Sequence, residues 1–202
     1  MQTNEIVVAV DPGDKESGLI VLQYGEIVKA GNYANDLLFN IMLECETKVP
    51  LLVLIEDIAP YAVDLRQSTI DTIKCIGMLE YRLKTAKIDY QLVPRWRVKE
   101  WVFNSFPEIA IPRIEEKIKR NGAWEACDIK TKEEIRVTRS GERWRSRKAS
   151  NIFVDDRIVV ACMKKHWEIP TPKPGQLSKY GLGTHSWQAL AVASLWIDRS
   201  RK

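Results

Sequence analysis

The chain has 202 residues, 45% hydrophobic and 29% charged, enough for one substantial domain with its own core. It holds no apolar stretch near the ~18 residues of a membrane span, the N-terminus runs into a strand without a signal peptide, and Cys45, Cys75, Cys127 and Cys162 form no C-x-x-C pair, which speaks against structural zinc or a disulfide framework and for reduced thiols in a cytoplasm. The net charge of +4 is unevenly spread: Arg136, Arg139, Arg143, Arg145, Arg147 and Lys148 face one acid, Glu142, between residues 136 and 148, so the basic character is local and points to a polyanion contact.

The first predicted strand, residues 5–10, is an apolar run that ends in Asp11-Pro12-Gly13, with Ser17-Gly18 close behind. A carboxylate carried out of the core at the last position of a rigid strand suits a divalent metal or a metal-bound phosphate. It equally suits a simple turn former. Strands at 18–22 and 26–31, turning at Tyr24-Gly25, complete an antiparallel meander. A short helix follows at 36–46, with Asp36 as its candidate cap. The strand at 51–55 again ends in acid, Glu56, and alternation sends Glu56 and Asp57 to opposite sides.

The apolar spacing of Ile73, Ile76, Gly77 and Leu83 predicts a helix over 69–85, in which Gly77 would permit close approach of another element. A strand at 90–93 stops at Pro94, and a helix is expected over 97–106. Here Arg95, Trp96, Arg97 and Lys99 form a basic-aromatic cluster, with Trp96 and Trp101 read as core residues of an amphipathic helix. Residues 107–150 read as a basic insertion, part helix (113–120) and part hairpin around Ser140-Gly141. A helix at 155–166, a Pro/Gly/Lys loop at 169–183 and a last helix at 185–198 close the chain. Lys164, Lys165, Lys173 and Lys179 read as solubilising charges.

Three antiparallel strands followed by α/β crossovers predict an α/β protein with a mixed five-stranded sheet flanked by helices, the RNase H-like arrangement, in a single domain spanning 1–202. That topology sets the strands bearing Asp11 and Glu56 side by side. Two divalent ions roughly 3.5–4 Å apart need ligands from more than one strand. His185, at the start of the last helix, is placed to supply one, although a histidine there also reads as a cap or a core residue.

These residues resemble the RuvC-like Holliday junction resolvases, and specifically their phage-type branch. The Asp11 hook resembles the family's strand-borne D-x-G, and Leu54-Ile55-Glu56-Asp57 resembles its I-E segment. Ile76-Gly77-Met78 is similar to the helix that follows. Pro174-Gly175, Tyr180-Gly181 and the run from His185 through Trp187 and Ala189 to Ala193 look like the phage-type ending, and Asp155 resembles an acid opening the preceding helix. The resemblance implies a metal-dependent endodeoxyribonuclease that cuts four-way junctions, with flaps and forks as further candidate substrates, as a homodimer with Mg2+ or Mn2+, two ions per site, in a host-cell cytoplasm if phage-encoded. Asp11 would bridge the ions, Glu56 bind one, and His185 with Asp155 complete the other. Two departures stand out: His185 replaces the usual acid, and Gln188 replaces a second one, which leaves room for Asp155 or Asp156 to compensate. Arg143, Trp144, Arg145, Arg147 and Lys148 are the expected DNA contacts, an aromatic interleaved with cations suiting distorted DNA. Lys148 also reads as a solvated surface charge, and Trp144 as the core of a hairpin.

Three other functions are weighed. A sugar or acetate kinase also uses D-x-G, but needs a second domain and another glycine-rich loop, and this chain lacks both. A non-catalytic branched-DNA-binding protein on a degenerate nuclease fold is favoured by Gln188. A related RNase H-like nuclease would act on another substrate, such as an RNA–DNA hybrid.

Overall fold

The computed structural model describes residues 6–44, 51–58, 66–110, 116–120, 123–127, 133–137, 143–148, 154, 156–170 and 181–200. Strands β1 (Ile6–Asp11), β2 (Glu16–Gln23), β3 (Glu26–Ala34), β4 (Leu51–Asp57) and β5 (Asp89–Pro94) form one sheet in the order β3-β2-β1-β4-β5. β1 runs antiparallel to β2 and parallel to β4, which is parallel to β5. β1 is central and covered on both faces, so all six of its residues are buried and it reads as an unbroken apolar run until its final acid. Tyr24 and Gly25 both take positive φ, as the tight β2–β3 turn expected from sequence requires.

One face of the sheet carries α1 (Asn35–Leu43) and α2 (Gln67–Ala86), packed on Ile6, Val8, Val10, Val53 and Ile55. The other carries α3 (Arg95–Ser105), followed by the one-turn α4 (Pro107–Ala110), and α5 (Asp156–His166) and α6 (Thr184–Ser200), packed on Val7, Ala9, Ile20 and Leu54. α6 is buried without interruption from Ser186 to Leu195. Its small residues Ala189, Ala191 and Ala193 let it lie against β1 and β2 as a central element, as an apolar-all-round helix must. Cys75 and Cys162 are buried free thiols. Among the described residues no helix is long and apolar enough to cross a membrane.

Several expectations are corrected. α3 begins at Arg95, directly after Pro94, which ends the ladder and occupies the N-cap position without a side-chain cap bond. Residues 116–120 are not helical: they form β6 (Glu116–Arg120), antiparallel to β7 (Ala123–Cys127), with Arg120 opposite Ala123. The intervening Asn121-Gly122 is a strong hairpin signal that outweighs the i,i+4 spacing of Ile114 and Ile118. α1 starts at Asn35, so Asp36 lies in its first turn, and the helix has no side-chain cap. Gly77 meets nothing: a Cβ built on it would have open space within 4 Å among the described residues. The expected hairpin near Ser140-Gly141 appears as β8 (Glu133–Val137) paired with β9 (Arg143–Lys148), although Ser140 and Gly141 themselves lie outside the described residues. So do residues 171–180 of the loop expected at 169–183, including Lys173 and Lys179, and Asp155.

Candidate metal centre

Strand alternation builds this site. Asp11 continues the series Val7, Ala9 and so faces α6, and Glu56 continues Leu52, Leu54 and faces the same way. Val10 pairs with Ile55 in the parallel β1–β4 ladder, so the next positions, Asp11 and Glu56, stand beside each other at one end of the sheet. Asp57 falls on the opposite series with Val53 and Ile55.

α6 brings the third residue. Gly18, opposite Asp11 in β2, has no side chain where the start of α6 crosses it; a Cβ there would overlap the His185 carbonyl and the Ser186 amide. Asn32 of β3 accepts a hydrogen bond from the Ser186 amide (3.1 Å) and fixes that end of the helix to the sheet. His185 Nδ1 is thereby held 2.7 Å from Asp11 Oδ2. Gly18→Ala should force α6 off β2 at a cost of about 1–3 kcal/mol. Urea denaturation would measure the loss, and the His185–Asp11 contact should break even in the fraction that folds.

The loop after Asp11 is locked by a ring of hydrogen bonds that sequence reading missed. The Gly13 amide donates to Ser17 Oγ (3.3 Å), Ser17 Oγ donates to Asn35 Oδ1 (2.6 Å), and Asn35 Nδ2 donates to the Gly13 carbonyl (3.0 Å). Ser17 is fully buried. Its position beside Gly18, close after the hook, was the available signal; Asn35, distant in sequence, gave none.

Arg95 was the second omission, read only as part of a basic-aromatic cluster with Trp96, Arg97 and Lys99. As the first residue of α3 it enters the same rim, with Nε 3.8 Å from Glu56 Oε1 and Nη2 3.2 Å from Asp156 Oδ1. β5 lies next to β4 with Val93 opposite Glu56, so a residue just past Pro94 had to reach this edge. Trp96, expected in the core, is 48% exposed, with the Arg97 guanidinium 5.3 Å from its ring centroid. Trp101 is packed as expected and donates from Nε1 to Asp198 (3.1 Å).

Asp11, Arg95, Asp156, His185 and Gln188 line a cavity of about 320 Å3 at this rim. Glu56 is 1% exposed and its Oε2 has no hydrogen-bond partner. Burial, then the hydrogen bond and charge of Asp11, push its proton affinity well above the ordinary carboxylate range; Arg95 and Lys99 pull the other way. The hydrogen bond to Asp11, reinforced by the charges of Asp11 and Glu16, raises the His185 pKa against the opposing effects of burial and Arg95. Burial disfavours the charge of Arg95, but Glu56, Asp11 and Asp156 more than offset this and hold it cationic.

Two buried carboxylates in mutual contact, one with an orphaned oxygen, fit a hard divalent cation that takes oxygen ligands. The buried Nε2 of Gln188 is also without a partner, and rotation of that amide would present its oxygen instead. The fit is to the Asp11–Glu56 pair: among the described residues no three His, Cys, Asp or Glu side chains gather into a metal-binding group. The structure sets Glu56 and His185 each against Asp11, without making the three a metal-binding group, while Asp155 lies outside the described residues. Arg143, Trp144, Arg145, Arg147 and Lys148 are strand residues of β9, with Arg143 opposite Val137 and Trp144 opposite Arg136.

RuvC of Thermus thermophilus in complex with a Holliday junction substrate shares the architecture, with a TM-score of 0.54 over 98% of this chain and 95% of that one, at 11% sequence identity. The fold is RNase H-like. A second structure of Thermus thermophilus RuvC gives a TM-score of 0.51 at 11% identity, covering 97% of this chain and 95% of that one. No protein-family model and no curated protein matches the sequence. What is shared with RuvC at this identity is the arrangement of strands and helices.

Proposed function

We propose that the protein is a structure-selective endonuclease that cleaves Holliday junctions and other branched DNA by divalent-metal-dependent phosphodiester hydrolysis. The observation that carries this reading is the buried Asp11–Glu56 pair at the sheet rim, in which one Glu56 oxygen has no hydrogen-bond partner and Asp11 lines a cavity of about 320 Å3. Asp11 and Glu56 would hold Mg2+ or Mn2+, which supplies Lewis acidity for attack by water on phosphorus. His185 holds the Asp11 carboxylate in one orientation through its Nδ1. The Ser17–Asn35 ring keeps the backbone after Asp11 from shifting as charge is drawn to the pair. Asp155, one residue before α5, is retained as a candidate further ligand.

The resemblance of the ending, from Tyr180 through the Ala189-to-Ala193 run, to the phage-type resolvases supports the junction as substrate within this fold. A homodimer fits that role, since two sites can nick opposing strands. Ile73 and Tyr81 are exposed on α2, four residues either side of the uncovered Gly77. An antiparallel self-pairing centred on Gly77 would set Ile73 against Tyr81 of the partner subunit, and Lys74 against Glu80 of the partner subunit.

The Arg143–Lys148 strand is the proposed DNA-binding element. Replacing Arg143, Arg145 and Arg147 with Gln should weaken junction binding and lower the slope of log K against log salt by about 2–3. An unchanged slope would move the DNA path elsewhere.

A second reading, a branched-DNA-binding protein without catalysis, is favoured by Gln188 and by the two-carboxylate composition of the pair. Incubation with a synthetic four-way junction, linear duplex and an RNA–DNA hybrid, in Mg2+ and separately in Mn2+, decides between them. Paired nicks specific to the junction support the nuclease. Tight junction binding without nicks in either metal supports the binding protein, and preferential cutting of the hybrid supports a different nuclease of this fold.

A further inference from the structure

α6 packs on β1, β2 and β4. β5 lies beyond β4 as the last strand of the sheet, so a step remains between it and the C-terminal half of the helix. The step is a cavity of about 250 Å3, below the roughly 300 Å3 at which small-molecule sites begin and suited to a side chain or two. It shares no lining residue with the cavity at the metal centre.

One wall is β5 from Gln91 to Pro94; the other is the α6 stripe Val192, Leu195, Trp196 and Arg199. Leu92 packs on the α2 side of the sheet and Val93 on the α6 side. Neighbours that point to opposite faces line one cavity when it runs along the free edge of their strand. Among the described residues that edge of β5 has no strand partner, so its outer backbone groups are open to an extended peptide as far as Pro94, which has no N–H to offer.

The charge of the cavity is one-sided. Arg97, in the first turn of α3, and Arg199, in the last turn of α6, line it and are exposed, and no acid lines it. Neither arginine forms an ion pair among the described residues; Arg97 lies over the Trp96 ring, and Asp198 takes its bond from Trp101. Between these cations the bottom is apolar, with Val192 and Leu195 buried. Duplex DNA is held through its phosphates by polar donors, and an apolar bottom gives it nothing. A second copy of this chain would bring its own Arg97 and Arg199 to the same edge, like charge against like.

We propose that this groove binds a partner protein through an extended acidic segment that carries a bulky apolar side chain. The segment pairs with the free edge of β5, the apolar side chain enters the cavity beside Leu195 and Trp196, and flanking carboxylates meet Arg97 and Arg199. The proposal does not depend on the nuclease reading.

The test follows the fluorescence anisotropy of a short fluorescein-labelled peptide, a central phenylalanine set among aspartates, on the full-length protein. Saturable binding that weakens as salt is raised is expected. Serine in place of the phenylalanine, or lysine in place of the aspartates, should abolish it. So should N-methylation of one alternate set of the peptide's amides, but not of the other, because a strand added at an edge turns every second amide towards its neighbour. Arg97→Glu combined with Arg199→Glu should weaken binding at least about tenfold, and Arg97→Gln combined with Arg199→Gln should weaken it less. Both side chains are exposed, so the melting temperature and the affinity for a four-way junction should stay at their wild-type values. No saturable binding by the folded wild type would overturn the proposal. So would binding indifferent to both double variants, or indifferent to N-methylation of either set. Loss of junction affinity in the double variants, with the junction displacing the peptide, would overturn it too and make the groove a DNA contact.

Discussion

Asp11→Asn should abolish junction cleavage, by roughly 1,000-fold or more, beyond the 10- to 100-fold typical of partners outside the metal's own ligands, with little change in stability. Asn keeps the shape of the side chain, and its oxygen can still accept a hydrogen bond from His185 Nδ1, so the contact that ties α6 to β1 persists. What disappears is the negative charge on the most central strand of the sheet. Two effects on stability oppose each other: the ion pair with His185 weakens, and Glu56 loses a repulsive neighbour. The melting temperature should therefore move by no more than about 4 °C, the equivalent of roughly 1 kcal/mol in a chain of this size. Cleavage by Asp11→Asn at a rate within tenfold of the wild type would remove Asp11 from the chemistry. A melting point lowered much further would show that Asp11 is chiefly structural.

Glu56→Gln should make the protein more stable without metal and inactive with it. Glu56 binds its proton more tightly in the folded chain than in the unfolded one, because of burial and then Asp11. Such a group contributes stability that is full below its unfolded value and lost as the pH rises through its folded value. His185, whose pKa is raised by its bond to Asp11, acts in the same direction. Protein stripped of metal with a chelator should accordingly weaken from acid towards neutral and alkaline pH. Glutamine imitates the protonated acid, so Glu56→Gln should match the wild type near pH 4–5 and exceed it at pH 8 by about 1 kcal/mol or more. Added Mn2+ should reverse the order at pH 8, since only the wild type can bind and be stabilised by it. Thermal melts across pH, with and without Mn2+, check both halves. If Glu56→Gln is less stable than the wild type at every pH, the buried carboxylate has a partner that this account omits.

The parts of the molecule legible in the sequence are those set by local periodicity. The apolar run before Asp11, the run before Glu56, the Tyr24-Gly25 turn and the continuous apolar pattern of α6 each fix their own element, and their order fixes the sheet. Asp11, Glu56 and His185 could be named because each sits at the end of such an element. Arg95 and the Ser17–Asn35 ring could not, since neither follows from periodicity. Arg95 depends on α3 beginning directly at Pro94, and the ring joins residues from separate elements across the loop. Gly77 misled for the opposite reason: a glycine inside a helix signals close approach, but in this chain its face is uncovered. The β6–β7 hairpin replaces the helix expected over 113–120; in so polar a segment the Asn121-Gly122 turn signal carries more information than any helical spacing.

The central claim is that Asp11 and Glu56 together form a divalent-cation site. Mn2+ titration monitored by electron paramagnetic resonance, run on the wild type, Asp11→Asn and Glu56→Gln at one pH above neutrality, tests it most directly. Bound Mn2+ in the wild type and its loss in both single variants is the predicted result. Equal binding in all three proteins, or none in the wild type, would contradict it.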